Sequence, residues 1–109
     1  NNIEEPSEVY NVYDIPNPFT DKTFFTFNVK EPKSISIEID VYSKKGILIK
    51  SFNENIYDEK TYHYFPENGW DGTDNNNNKI PNGTYLYRLK IIDANNIIHD
   101  QMHHFTKVN

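Results

Sequence analysis

Two runs of alternating apolar and polar residues constrain the fold of this chain more than any other feature. Each run carries an apolar residue at every second position: Ile35, Ile37, Ile39 and Val41 in the first, and Tyr85, Tyr87, Leu89 and Ile91 in the second. Successive side chains of a strand point to opposite faces of a sheet. Each run therefore predicts a β-strand with one buried face and one face in water.

The composition supports strands and excludes several classes of function. Eight tyrosines and seven phenylalanines in 109 residues suit the half-buried surface of a sheet. A net charge of −5 argues against a nucleic-acid partner, because phosphate binding needs an excess of lysine and arginine. The absence of cysteine excludes disulfides, a thiolate nucleophile and a thiolate metal site. No apolar run approaches the roughly 20 residues of a membrane-spanning helix, so the chain is not expected to span a membrane.

Seven segments carry strand patterns at a spacing of about ten residues: 9–13, 23–29, 34–42, 47–52, 61–65, 84–93 and 97–107. This spacing predicts an all-β, immunoglobulin-like sandwich of about seven antiparallel strands. The polar residues 1–8 are interpreted as a linker, and residues 9–109 as a single domain.

Turn residues separate the predicted strands. Pro16 and Pro18 forbid a central strand, so residues 15–19 are expected to run extended along a sheet edge with Phe19 turned inward. Gly46 provides the left-handed residue of a hairpin. Pro66 is expected to end the fifth strand. Further turns are predicted at residues 30–33 and 94–96, and a polar loop at 53–60.

Residues 70–88 contain the densest set of turn signals. Trp70 is the only tryptophan and is expected to fill the core where a strand stops, while Gly83 restarts the chain with a positive backbone angle. Asp71 and Asp74 suggest a calcium loop, but the glycine follows the first aspartate directly and no glutamate closes the loop, unlike an EF-hand. Aspartate and asparagine also stabilise turns, and the turn interpretation is favoured.

No catalytic or metal-binding arrangement is found in the sequence. His103 and His104 are adjacent on a strand and point to opposite faces, and His99 lies about 13 Å from His103. No motif organises a serine, a histidine and an acid as a triad. No catalytic residue, metal site or cofactor is therefore predicted. Exposed aromatic residues on one sheet could bind sugars, although packing of these residues in the core is favoured.

Three blocks of sequence, at residues 11–27, 41–49 and 70–88, resemble the flagellar-hook-cap-like immunoglobulin domains of bacterial surface proteins. Within that family the blocks are most similar to the C-terminal sorting domains of type IX secretion, and the first block to that of the type IX sortase, a gingipain-family peptidase. The residues that carry the resemblance are Pro16, Asn17, Pro18, Phe19, Gly46, Trp70, Asp71, Gly72, Asp74, Gly83, Tyr85 and Tyr87. The chain departs from the family in having Asn77 or Asn78 where a glycine is usual, and asparagine can adopt the same backbone angles.

The resemblance implies a non-catalytic, monomeric C-terminal domain that sorts or anchors a secretion cargo or the sortase itself. Its expected partners are outer-membrane secretion components, namely a barrel shuttle protein and a translocon. Its expected location is the cell surface or the medium. The alternatives are a carbohydrate-binding module and a scaffolding immunoglobulin-like module of a secreted or flagellar protein.

The last predicted strand, residues 97–107, is a candidate recognition element. Nothing in the sequence is expected to shield its outer edge, and an exposed edge can pair with another chain. A partner could add to this edge or grip the Gly46 hairpin, which is expected to lie beside it. The competing interpretation is that this strand only closes the sheet.

Overall fold

A computed structural model describes residues 9–29, 35–56, 60–92 and 98–108 of the chain. The predicted linker at 1–8 and the predicted turns at 30–33 and 94–96 lie outside the described residues. The described residues form seven strands and no helix. The strands are β1 (Val9–Ile15), β2 (Thr23–Val29), β3 (Ile35–Tyr42), β4 (Leu48–Ile56), β5 (Tyr62–Trp70), β6 (Gly83–Ile92) and β7 (Ile98–Lys107).

The strands are arranged in two antiparallel sheets. One sheet has the order β1-β2-β5 and the other β4-β3-β6-β7. This confirms the predicted immunoglobulin-like sandwich. In immunoglobulin domains of the constant type the fourth strand lies in the same sheet as the fifth. Here β4 pairs with β3, so the first sheet has three strands and the second has four. Strands β1 and β5 are consequently the edges of the first sheet, and β4 and β7 those of the second.

The core lies between the two sheets and is built from the alternating residues. All eight apolar residues of the two runs, on β3 and β6, are at least 93% buried. The facing sheet contributes Phe25, Phe27 and Val29 of β2, which are also buried as their period of two predicts. The inward faces of β2, β3 and β6 were therefore predicted correctly.

Two predicted strand ends are wrong, and both belong to edge strands. Strand β4 continues through Asn53, Glu54 and Asn55, which pair with β3 although the pattern predicted a polar loop. Strand β5 continues through Pro66 to Trp70. Edge strands have one side without a neighbouring strand, so they tolerate both polar side chains and a proline that donates no hydrogen bond. Register irregularities between β2 and β5 accommodate Pro66.

Trp70 is buried in the core at the end of β5, as predicted, and it also contacts both sheets. Its ring stacks on Phe25 of β2 at 6.0 Å and meets Phe105 of β7 edge-on at 5.7 Å. It also contacts Phe19 at 5.8 Å. The indole Nε1 donates a hydrogen bond to the Thr73 carbonyl oxygen at 2.9 Å, which satisfies the one polar group of the side chain.

Replacing Trp70 with alanine should destabilise the domain strongly, because it would leave a cavity where the two sheets meet. We expect the free energy of unfolding to fall by about 3–5 kcal/mol in a urea titration. A matched control is Ile47→Ala, at a side chain that is 63% exposed, which should change stability by less than about 0.5 kcal/mol. Equal stability of the two variants would contradict the role assigned to Trp70.

Candidate functional site

Residues 16–19 form a clasp between the two sheets. The Phe19 amide donates to the Thr106 carbonyl oxygen at 3.1 Å, and the Val108 amide donates to the Phe19 carbonyl oxygen at 2.9 Å. The Asn17 side-chain oxygen accepts a hydrogen bond from the Thr106 amide at 3.0 Å. The clasp therefore carries the chain from the edge of β1 to the outer edge of β7, and Phe19 is 99% buried beneath it.

Two predictions about the β7 edge are wrong. One concerns the shielding of the edge and the other the position of the Gly46 hairpin. The edge was expected to be unshielded, but Asn17 and Phe19 occupy it at Thr106. The Gly46 hairpin was expected to lie beside β7, but strands β3 and β6 separate β7 from β4. Phe105 is fully buried, so β7 cannot be truncated there to test recognition without removing part of the core.

Gly72 allows the turn after Trp70 to pack closely against the clasp. Its φ is +78°, and a Cβ at this position would lie 2.9 Å from Cε of Lys107 and 3.4 Å from the Phe19 ring. The Ile80 amide donates to its carbonyl oxygen at 2.9 Å. A larger residue would be strained at this φ and would have to displace the Lys107 side chain or the turn, so Gly72 of the family motif serves close packing at this point.

The two motif carboxylates are used within their own turns. Oδ1 of Asp74 accepts hydrogen bonds from the Asn76 and Asn78 amides at 2.8 and 2.9 Å. Oδ1 of Asp71 accepts from the Thr73 hydroxyl at 2.7 Å, and this bond holds the pKa of Asp71 below its usual value. Of the two asparagines expected at the position of the usual glycine, Asn77 has a φ of +66°, the left-handed conformation that glycine adopts most easily. These contacts are those of turn residues.

The remaining motif residues also have structural positions. The Tyr85 hydroxyl donates to the Pro81 carbonyl oxygen four residues upstream, as in the tyrosine corner of immunoglobulin domains. The Tyr87 ring packs 4.8 Å from Phe25, and burial raises the pKa of its hydroxyl. Gly83 begins β6, and Gly46 turns the β3–β4 hairpin with a φ of +86°.

A groove between β1 and β7 contains a buried acid that sequence reasoning missed. Asp14 is only 6% exposed, and its Oδ2 has no hydrogen-bond partner among the described residues. Burial raises its pKa from 3.8 to about 7. The groove has a volume of about 970 Å³, and Gln101 and His103 of β7 line its other wall.

Asp14 was missed because a bulge in β1 changes which residues face inward. The pairing of β1 with β2 shifts between Tyr10 and Tyr13, and Asn11 within the bulge has a φ of +55°. Val12 and Asp14 then both face the core, although strict alternation from Val9 would turn them outward. An asparagine inside a strand pattern was the one signal that could have indicated the bulge.

A second buried polar atom lies in the groove between the other two edges. His63 of β5 is 5% exposed and stacks on Phe27 at 5.3 Å, and its Nε2 has no partner among the described residues. In the part of the chain that the structure describes, no group of three or more histidine, aspartate or glutamate side chains could hold a metal ion. Over the same part of the chain, no helix is long and apolar enough to cross a membrane.

One comparison with known proteins shows the family of this chain, and two solved structures show its fold. The family model of the CHU_C type IX secretion signal domain matches residues 8–105. The crystal structure of dimeric latent PorU from Porphyromonas gingivalis matches with a TM-score of 0.76 and 21% identity over 97% of this chain. CopC from Methylosinus trichosporium OB3b matches with a TM-score of 0.54 and 9% identity, over 89% of this chain and 93% of its own. The chain spans 10% of the PorU chain, and no curated protein sequence matches it.

The buried carboxyl of Asp14 should make stability fall as the pH rises. Because its pKa is raised in the folded state, the folded protein holds a proton that the unfolded chain loses above about pH 4. The free energy of unfolding therefore decreases by roughly 1.4 kcal/mol per pH unit until the folded group ionises near pH 7. Between pH 5.5 and pH 7 the loss due to Asp14 should be about 2 kcal/mol.

The Asp14→Asn variant is the control for this prediction, measured by urea unfolding at both pH values. Burial and the neighbouring His104 lower the pKa of His103, and a lowered histidine pKa changes stability in the opposite direction. That effect is common to both proteins, so it cancels in their difference. If wild type and variant lose or gain stability in parallel, Asp14 does not have the raised pKa.

Proposed function

Because the chain belongs to the CHU_C family of type IX secretion signal domains, we propose that it is the C-terminal domain by which a larger protein is recognised at the outer membrane. The domain is a sorting signal, and a protein that carries it is exported across the outer membrane to the cell surface or the medium. The observation that carries the proposal is the extent of the family match, which covers all seven strands up to Phe105. We infer from this extent that the signal is the folded domain and not a short linear segment.

We infer that the sorting domain comprises residues 9–109 and that residues 1–8 are a linker. Among the described residues, Val9 is the first that is buried in the core, at 2% exposure. The family match begins at residue 8. A polar segment directly before the first core strand is typical of a connection to an upstream domain.

We further propose that the domain is monomeric and has no catalytic role, and that it belongs to a larger secreted enzyme or to the sortase. The structural motifs support this, since the carboxylates of Asp71 and Asp74 serve their own turns. The likeness to a tenth of PorU supports a position within a much longer protein. The proposed partners are a barrel shuttle protein and a translocon of the outer membrane, which would bind the domain in its folded form.

Sugar binding is a second candidate function, favoured by one observation. The outer face of the β1-β2-β5 sheet presents three tyrosines that are half exposed: Tyr13, Tyr62 and Tyr64. Tyr64 lies across β2 from Tyr13 in the register of the sheet. Exposed aromatic faces of this kind can stack against sugar rings. Most of the phenylalanines, by contrast, are buried in the core as predicted.

Export of a reporter tests the proposed function. Residues 1–109 and residues 9–109 are each fused to the C-terminus of a neutral reporter in a cell with type IX secretion. We expect both fusions to reach the surface or the medium, since the folded domain is the signal and the linker is not required. Retention of both fusions in the periplasm, while the isolated domain binds glycans through Tyr13 and Tyr64, would favour the carbohydrate function instead.

A further inference from the structure

The outer edge of β7 is open beyond the clasp. At Thr106 both backbone groups of this edge are occupied, by Asn17 and by Phe19. Backbone groups of alternate residues point to the same edge of a strand, so His104 and Met102 present theirs on the same side. No hydrogen bond from those two groups to another part of the described chain is present. The edge can therefore accept further pairing where the clasp ends.

The open part of the edge lies along the groove that contains Asp14. The clasp closes one end of the groove, and a hydrogen bond of 3.2 Å from the Gln101 side chain to the Val9 carbonyl oxygen closes the other. The distance along β7 from Gln101 to Thr106 is about 17 Å, the length of roughly five extended residues. Residues 17–19 already show how an extended chain lies in this position, because Phe19 pairs with β7 in parallel orientation.

The groove has an acidic group and no described cation to neutralise it. Oδ2 of Asp14 is buried and lacks a hydrogen-bond donor. The other titratable groups in the lining are Tyr13 of β1, Tyr87 of β6, and His103 and His104 of β7. His103 is partly buried and hydrogen-bonded to Gln101 at 2.9 Å. A buried carboxylate oxygen without a hydrogen-bond donor is unfavourable, and an incoming cation would supply both charge and donors.

We propose that the groove between β1 and β7 binds an extended segment of another protein, which adds to the edge of β7 at Met102 and His104 and places a lysine or arginine side chain against Asp14. The net charge of −5 favours a basic partner and opposes pairing with a second copy of this chain. The inference rests on the proposed function and deepens it, since the extended segment would belong to a secretion component. Its test is made with purified protein, so it can fail without affecting the export experiment.

The probe is a seven-residue peptide of alternating threonine and valine with a lysine at its centre, blocked at both ends. Its matched control carries norleucine instead of lysine. Each is titrated into the 109-residue chain while amide chemical shifts are recorded by NMR. We expect the lysine peptide to shift resonances of β1 and β7 and to bind about tenfold more tightly than the control, the effect of one charge-assisted hydrogen bond.

Two variants locate the binding. Asp14→Asn should bind both peptides equally. Met102→Pro should bind neither peptide, because proline removes an amide from the edge. Its control is Met102→Thr, which keeps the amide and should bind as wild type does. Binding of the lysine peptide to wild type should strengthen from pH 6 to pH 8 as Asp14 loses its proton. Any pH dependence that remains in Asp14→Asn measures His103 and His104 and is subtracted.

Several results would overturn the proposal. They are no binding of the lysine peptide at millimolar concentration, equal affinity for lysine and norleucine peptides, and shifts confined to strands other than β1 and β7. Concentration-dependent self-association through the β7 edge would also overturn it, since the occupant would then be a second copy. The comparison of two peptides on wild-type protein needs no variant to fold, so a poorly folded Asp14→Asn does not prevent a decision.

Discussion

The packing of Trp70 between the two sheets is the interaction on which the rest of the structure depends. Its ring contacts Phe25 of one sheet, Phe105 of the other and Phe19 of the clasp. Gly72 then lets the following turn lie directly on the clasp. The three family motifs are far apart in sequence, and two of them meet at this end of the sandwich because they share one aromatic cluster. The contacts of these two motifs hold the clasp and both sheets together at this end of the sandwich.

Much of the fold could be predicted from the sequence, since burial on one face imposes a period of two on β2, β3 and β6. The prediction was wrong where that constraint is weak. Residues 53–56 and Pro66 lie on edge strands, where polar residues and proline cost little. The twelve motif residues were identified from a resemblance, and the structure gives them packing and turn positions. Asp14 was missed because the bulge at Asn11 changes the inward positions of β1, and a single asparagine in a strand pattern is a weak signal for a bulge.

A sorting signal of this kind is defined by surfaces that exist only in the folded state. Asp14 and His104, which lies on the open part of the β7 edge, are 90 positions apart in the chain but line one groove. A partner that binds both the β7 edge and Asp14 can distinguish a folded domain from an unfolded chain. Asp14 is buried and its Oδ2 has no hydrogen-bond partner among the described residues, so the fold tolerates an unfavourable group at this place. Retaining such a group is consistent with a binding role, because structural stability alone would be better served by an apolar residue.

The central claim is that the folded sandwich is the export signal. It is tested most directly by measuring the exported fraction of a reporter fusion against the free energy of unfolding in a graded series at one position: Trp70→Phe, Trp70→Leu and Trp70→Ala. The account predicts that export follows the folded population and fails in the variant that is mostly unfolded. Undiminished export of an unfolded variant would show that the signal is a linear sequence, and it would contradict the account.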